Sequence, residues 1–124
     1  MADLAGGRTP GVVDGRSFAP LLLGDPLEEP WRDALLIEQW RQPNRSGAFV
    51  PTFQGVRTAD NTYVEYSAGT KELYDLEANA YQLGNRLQEP TPETEAEAEG
   101  LSTGLKDLPE CAGQRCRNSE ETVP

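Results

Sequence analysis

Every aromatic residue of this 124-residue chain falls within residues 1–88, and residues 89–124 have none. A core needs large apolar side chains, so the first part can build one and the second mostly cannot. Charge divides at the same place. Residues 1–88 carry 12 acids against 8 bases, whereas residues 89–124 carry 9 against 3. The apolar fraction of 36% is low, since roughly 45–50% is usual when glycine is included. Ten prolines and twelve glycines add further breaks. The length suits one domain, and the composition predicts a small core with part of the chain unstructured.

The chain has no histidine. That removes the commonest general base, the commonest transition-metal ligand and the middle member of Ser-His-Asp and Cys-His arrangements. The net charge of −10 argues against nucleic acid and against anionic membrane surfaces, both of which require a basic face. No run of 18 apolar residues occurs, so no membrane-spanning helix is expected. Residues 1–8 (MADLAGGR) lack the apolar stretch of a signal peptide. On that ground alone the chain is expected in the cytoplasm.

Turn residues divide the first part into short pieces. Asp14-Gly15 reads as a tight turn with positive φ. Ser17 is placed to cap a helical turn through Ala19, Pro20 and three leucines, closed by Gly24. Asp25-Pro26 and Glu29-Pro30 favour extended chain. Residues 34–40 (ALLIEQW) fit a buried strand better than a helix, and residues 43–47 (PNRSG) read as a loop. In residues 49–58 (FVPTFQGVRT), Pro51 and Gly55 suggest an edge strand or a bulge.

Alternation is clearer downstream. Residues 62–67 (TYVEYS) set Tyr63 and Glu65 on one face and Val64 and Tyr66 on the other. Residues 71–76 (KELYDL) set Glu72, Tyr74 and Leu76 against Lys71, Leu73 and Asp75. Turns at Asp60-Asn61 and Ala68-Gly69-Thr70 favour antiparallel hairpins. The predicted fold class is α+β: a small antiparallel sheet of three to four strands with one or two short helices and an acidic flexible tail.

In residues 89–100 (EPTPETEAEAEG), glutamates at 93, 95, 97 and 99 would repel on a helix, which suggests a solvated linker. Leu101, Leu105 and Leu108 have the spacing of one short amphipathic helix, stopped by Pro109. The expected divisions are therefore a core over 1–88, an acidic linker over 89–100, a short helix and Cys-x4-Cys loop over 101–117, and a disordered tail over 118–124.

Few residues suggest chemistry. Cys111 and Cys116 enclose four residues, which is not the two-residue spacing of a redox or zinc pair. A local disulfide loop is the best reading, and it favours an oxidising compartment, against the missing signal peptide. Turn chemistry accounts for Asp14-Gly15-Arg16. Arg41 and Arg57, with Tyr63 and Tyr66, are candidates to line an anion pocket, because the guanidinium fork matches sulfate, phosphate or carboxylate. Ordinary strand-face positions are the better reading of each of them. No phosphate loop, dinucleotide fingerprint or calcium loop is present.

Several segments, taken in order, resemble the downstream part of type I sulfatases. They are residues 2–6, residues 13–17 (VDGRS), Pro20-Leu21-Leu22, Trp31-Arg32-Asp33 leading into LLIEQW, residues 56–58, Tyr63 to Tyr66, and residues 71–76 (KELYDL) with Glu77-Ala78-Asn79 and Asn85. Residues 105–117 (LKDLPECAGQRCR) are similar to the Cys-x4-Cys tail of N-acetylglucosamine-6-sulfatase-like members. The chain departs from the family at Ala80, where a proline is usual.

The resemblance implies a C-terminal subdomain in which a four-stranded antiparallel sheet and a helix pack on a large α/β catalytic domain. It implies sulfate-ester hydrolysis by a formylglycine, made from the Cys of a C-x-P-S-R motif, beside a calcium ion. Both lie upstream of the matched segment. Neither Cys111 nor Cys116 begins that motif, so no catalytic residue, metal ligand or cofactor is assigned to this chain. Arg41, Arg57 and Tyr63 are its candidate substrate-rim residues. The implied partner is the catalytic domain, in cis or on another chain, and the family is typically secreted, periplasmic or lysosomal. The chain is thus expected to be a truncated or split piece of a sulfatase, inert alone. The rival reading is a non-catalytic interaction module with the ALLI face uncovered.

Overall fold

A computed structural model describes residues 2–8, 11–26, 31–40, 42–43 and 49–124. The fold is α+β. Its elements are a short helix α1 (Ala19–Leu23), strands β1 (Leu35–Gln39), β2 (Gln42–Pro43), β3 (Phe49–Val50), β4 (Phe53–Arg57), β5 (Asn61–Tyr66) and β6 (Lys71–Asp75), then helices α2 (Pro92–Asp107) and α3 (Gln114–Glu121). Strands β1, β4, β5 and β6 form one antiparallel sheet in the order β1-β4-β5-β6, while β2 pairs with β3 separately.

The alternation in residues 61–75 sets the register. Val56 lies opposite Tyr63, and Tyr63 opposite Leu73. Adjacent side chains point to opposite faces, so Leu36, Val56, Tyr63 and Leu73 share one face. Helix α2 packs there. Val56, Tyr63 and Leu73 join Ala98, Leu101, Leu105, Leu108 and Val123 in the core. The leucine spacing of 4 and 3 is what places Leu101, Leu105 and Leu108 on the buried stripe.

Several local expectations change. β1 is an edge strand with Leu35 40% exposed, not a buried one. β4 lies inside the sheet, contrary to the edge expected from Pro51 and Gly55. Pro51 falls just outside the strand, and Gly55 is required within it. A Cβ there would sit 2.6 Å from the Tyr63 carbonyl oxygen and 3.2 Å from a Val64 methyl. Phe18, not Ser17, stands at the N-cap position of α1, but the Ser17 hydroxyl accepts from the Ala19 amide, the first of the helix, at 3.3 Å. Gly24 ends that helix in the left-handed region, as expected. Gly15 is not among the positive-φ glycines, and the Asp14 carboxylate accepts from the Gly113 amide at 2.6 Å.

The larger difference lies after residue 88. Residues 92–100 are helical, not a linker, and α2 runs unbroken through Gly100 and Gly104 to Asp107. Thr91 caps it, its hydroxyl accepting from the Thr94 amide at 3.2 Å. Pro92 stands in the first turn, where a missing N–H costs nothing. Glu93 and Glu95 meet the positive helix end, and Glu97 accepts from Arg86 at 2.7 Å. These contacts offset the glutamate repulsion. Residues 114–121 form α3, and Val123 is buried beyond it, so residues 118–124 are not a loose tail. Gly104 lets Val123 approach: a Cβ there would sit 2.9 Å from a Val123 methyl. No helix among the described residues is long and apolar enough to cross a membrane.

Candidate functional site

The two faces of the sheet differ in chemistry. On the helix-bearing face, a polar row lies beside the apolar one: Glu38 opposite Gln54, Gln54 opposite Glu65, Glu65 opposite Lys71. One Glu65 oxygen accepts from the Tyr63 hydroxyl at 2.6 Å and from the Ser102 hydroxyl of α2 at 2.6 Å, and Lys71 approaches it at 3.1 Å. Burial alone would raise the Glu65 carboxyl, but the bonds from Ser102, Tyr63 and Lys71 outweigh it and hold it below its ordinary value. Tyr63 is pushed up by burial and by Glu65. Lys71 is raised by Tyr63 and Glu65. The cluster ties α2 to the sheet and keeps a carboxylate charged at its margin.

Among the described residues no helix lies on the opposite face. Leu35, Ile37, Phe53, Val64, Tyr66 and Tyr74 alternate onto it. Phe53 and Tyr66 lie with ring centroids 5.6 Å apart. Glu72 is held there by the Tyr66 and Tyr74 hydroxyls at 3.3 and 3.1 Å. Burial, and then Glu72, raises both tyrosines. An aromatic surface whose one carboxylate is held by tyrosines has the composition of an interface core. Further apolar side chains are exposed elsewhere, with Leu22 at 62%, Tyr81 at 86% and Leu83 at 86%.

The sequence-predicted rim residues do not gather. Arg57 is exposed at the end of β4 on the open face and donates to the Thr62 hydroxyl at 3.2 Å. It borders a shallow pocket of about 180 Å³ that Trp31, Arg32 and Leu35 also line. Tyr63 lies on the other face and is fully buried beneath α2. Strand parity separates the two, because Arg57 pairs with Thr62, one residue before Tyr63. Arg41 lies outside the described residues. Cys111 and Cys116 form a disulfide, with Cα atoms 4.9 Å apart.

Another constellation stands out that sequence reasoning does not reach. Glu120, on α3, is buried and accepts from Arg32 while pairing with Arg16 at 3.2 Å. Arg16 also donates to the Trp31 and Arg117 carbonyls. These contacts bind the start of the chain to its last helix. Turn chemistry accounts for Asp14-Gly15-Arg16 in the sequence, so nothing local points to Arg16 as a partner of the last helix. Among the described residues no three Cys, Asp or Glu side chains gather as a metal site, and both cysteines are consumed by the disulfide. No catalytic step is assigned to the residues described.

No family model matches the chain, and no curated protein does. Solved structures do. BT4656, determined in complex with its substrate D-glucosamine-2-N,6-O-disulfate, matches with a TM-score of 0.69 and 21% identity, over 97% of this chain and 23% of its own. BT1596, a 2-O GAG sulfatase, matches with a TM-score of 0.61 and 26% identity, over 94% of this chain and 27% of its own. A candidate sulfatase of Bacteroides thetaiotaomicron VPI-5482 gives a TM-score of 0.61 at 26% identity, over 94% and 26%. The chain has the fold of a segment of these sulfatases, consistent with a sulfatase C-terminal subdomain. It spans between 23% and 27% of the chains it matches.

Proposed function

We propose that this chain is the C-terminal subdomain of a sulfatase, without catalytic groups of its own, and that it completes a separate α/β catalytic domain in cis or on another chain. The observation that carries the reading is the asymmetry of coverage: nearly the whole chain matches, against about a quarter of each sulfatase. The docking surface in this reading is the open sheet face of Leu35, Ile37, Phe53, Tyr66 and Tyr74. Leu35 is exposed and Ile37, Phe53, Tyr66 and Tyr74 are half-buried, and an apolar, aromatic surface of this kind supports that role.

The nucleophile and the calcium ligands belong, in this reading, to the catalytic domain. Arg57, exposed at the end of the docking face, is the residue best placed to border the substrate cleft. The sulfated sugars named for BT4656 and BT1596 make a sulfated glycan the first substrate to test. Expressed alone, the chain is expected to show no turnover of an aryl sulfate with calcium. Co-expressed with a chain carrying C-x-P-S-R, it is expected to co-purify with that chain, and failure to do so counts against docking.

A further inference from the structure

We propose that the turn at 79–84 is a preformed anchor that seats Tyr81 and Leu83 in an apolar groove of the sulfatase catalytic domain. The inference rests on the docking reading above and extends that surface past the end of β6. Tyr81 and Leu83 are each 86% exposed, more than any other large apolar side chain among the described residues, while Gln82 between them is half-buried. That order inverts the usual one, in which the apolar side chain is covered and the amide faces water. Neither Tyr81 nor Leu83 joins the core of the chain.

The inversion is built into the backbone. Gln82 has a φ of 54° and is the one non-glycine residue with positive φ among the described residues. A residue other than glycine is strained there, so the bonds around it must hold it. Asn79 supplies two of them: its carbonyl accepts from the Gln82 amide at 2.9 Å and its side-chain oxygen from the Leu83 amide at 3.1 Å. At one base of the turn Asp75 accepts from the Ala78 and Asn79 amides, both at 2.9 Å. At the other, Asn85 accepts from the Leu73 and Leu87 amides, both at 3.0 Å. A turn fastened at both ends keeps its apolar tip outward, and a preformed tip loses little freedom on binding.

Position and charge indicate the occupant. β6 ends one residue after Tyr74 of the docking face, and the Leu76 amide then donates to the Asp60 carbonyl at 2.7 Å. Asp60 lies in the turn between β4, which ends at Arg57, and β5. The anchor therefore stands at the same end of the sheet as Arg57. Residues 72–84 carry Glu72, Asp75 and Glu77 and no base. A matching groove is apolar within and basic at its rim. That suits a protein surface better than an anionic membrane, or a second copy of a chain whose net charge is −10.

The test measures the dissociation constant between the 124-residue chain and a C-x-P-S-R-bearing catalytic domain supplied as a separate chain. Tyr81→Ser combined with Leu83→Ser is expected to weaken binding by at least about tenfold, the scale of an interface anchor, and Tyr81→Phe to bind like the parent. Asn79→Ala, which keeps both anchors and loosens the turn, is expected to weaken it too. Leu22→Ser, at an exposed leucine of α1, is expected to leave it unchanged. Because both anchors are exposed, the double variant should keep the thermal midpoint of the parent, which separates lost binding from lost folding. Equal binding by parent and double variant overturns this proposal and leaves the docking reading intact, whereas no binding by the parent overturns both. A loss as large in Leu22→Ser, none in Asn79→Ala, or a lowered midpoint in the double variant overturns the anchor. So does attachment of the parent to phosphatidylcholine vesicles, or a dimer of it that the double variant abolishes, since either gives the turn another occupant.

Discussion

Arg32 grips Glu120 with two parallel hydrogen bonds, Nε to one carboxylate oxygen at 2.9 Å and Nη2 to the other at 2.6 Å, across a separation of 88 residues. Such a fork is the strongest geometry available to an arginine and a carboxylate. It fastens the segment entering β1 to the last helix, and Arg16 adds a second cation at 3.2 Å. The part of the chain without aromatic residues is thereby held in the fold by charge as well as by its leucines.

Removal of that fork should be costly because Glu120 is buried. Arg32→Ala is expected to destabilise the chain by about 2 kcal/mol, the scale of a hydrogen bond to a charged group. Arg32→Lys should recover only part of this, since an ammonium cannot form both bonds. Urea unfolding with an unchanged slope is the measurement. A midpoint equal to that of the parent chain would show the pair to be energetically idle.

Gly55 stands where β5 passes too close for any side chain. Gly55→Ala is expected to cost about 1–3 kcal/mol, the range for forcing extra atoms into a packed site. The thermal midpoint reads this directly. An unchanged midpoint would mean that β4 and β5 can separate freely.

The helix–sheet core should respond differently from the exposed leucines. Leu101→Ala, at a fully buried position, is expected to lose about 2–5 kcal/mol. Leu22→Ala, at a position 62% exposed, should stay within about 0.5 kcal/mol. Equal losses at the two sites would contradict the placement of the core.

Stability should depend on pH at both extremes. The folded state holds Glu65 below its ordinary 4.5, so it binds its proton less readily than the unfolded chain. Its contribution is present above pH 4.5 and is lost as the pH falls through the lower folded value. Tyr63 behaves oppositely: raised above 10.0, it keeps its proton when the unfolded chain has lost it, and stability declines as the pH rises past 10.0. Glu65→Gln should flatten the acid limb of a denaturation series run against pH. An acid limb identical in parent and variant would rule the cluster out as its source.

The sheet was largely legible because alternation over 62–67 and 71–76 constrains both strands and their faces. Alternation does not say which face will be covered, so Tyr63 reads as a rim candidate until α2 is seen above it. The short run at 34–40 looks buried because its apolar residues are contiguous, yet its outer edge has no neighbouring strand among the described residues. The glutamate series over 93–99 argues against a helix, and the cap at Thr91 with Pro92 argues for one. The cap prevails because Arg86 and the helix end absorb part of the charge. The Glu120 contacts with Arg16 and Arg32 are invisible in sequence, since no local pattern joins residues so far apart. The resemblance to sulfatases rests on segment order, which the fold preserves.

The most direct test of the central claim is turnover of an aryl sulfate with calcium, measured for three samples. They are this chain alone, this chain with a catalytic domain bearing C-x-P-S-R, and the same pair with Ile37→Asp on the open face. The account predicts no turnover for the first, turnover for the second and its loss in the third, with the variant chain still folded. Turnover by the 124-residue chain alone, or a reconstituted activity indifferent to Ile37→Asp, would contradict it.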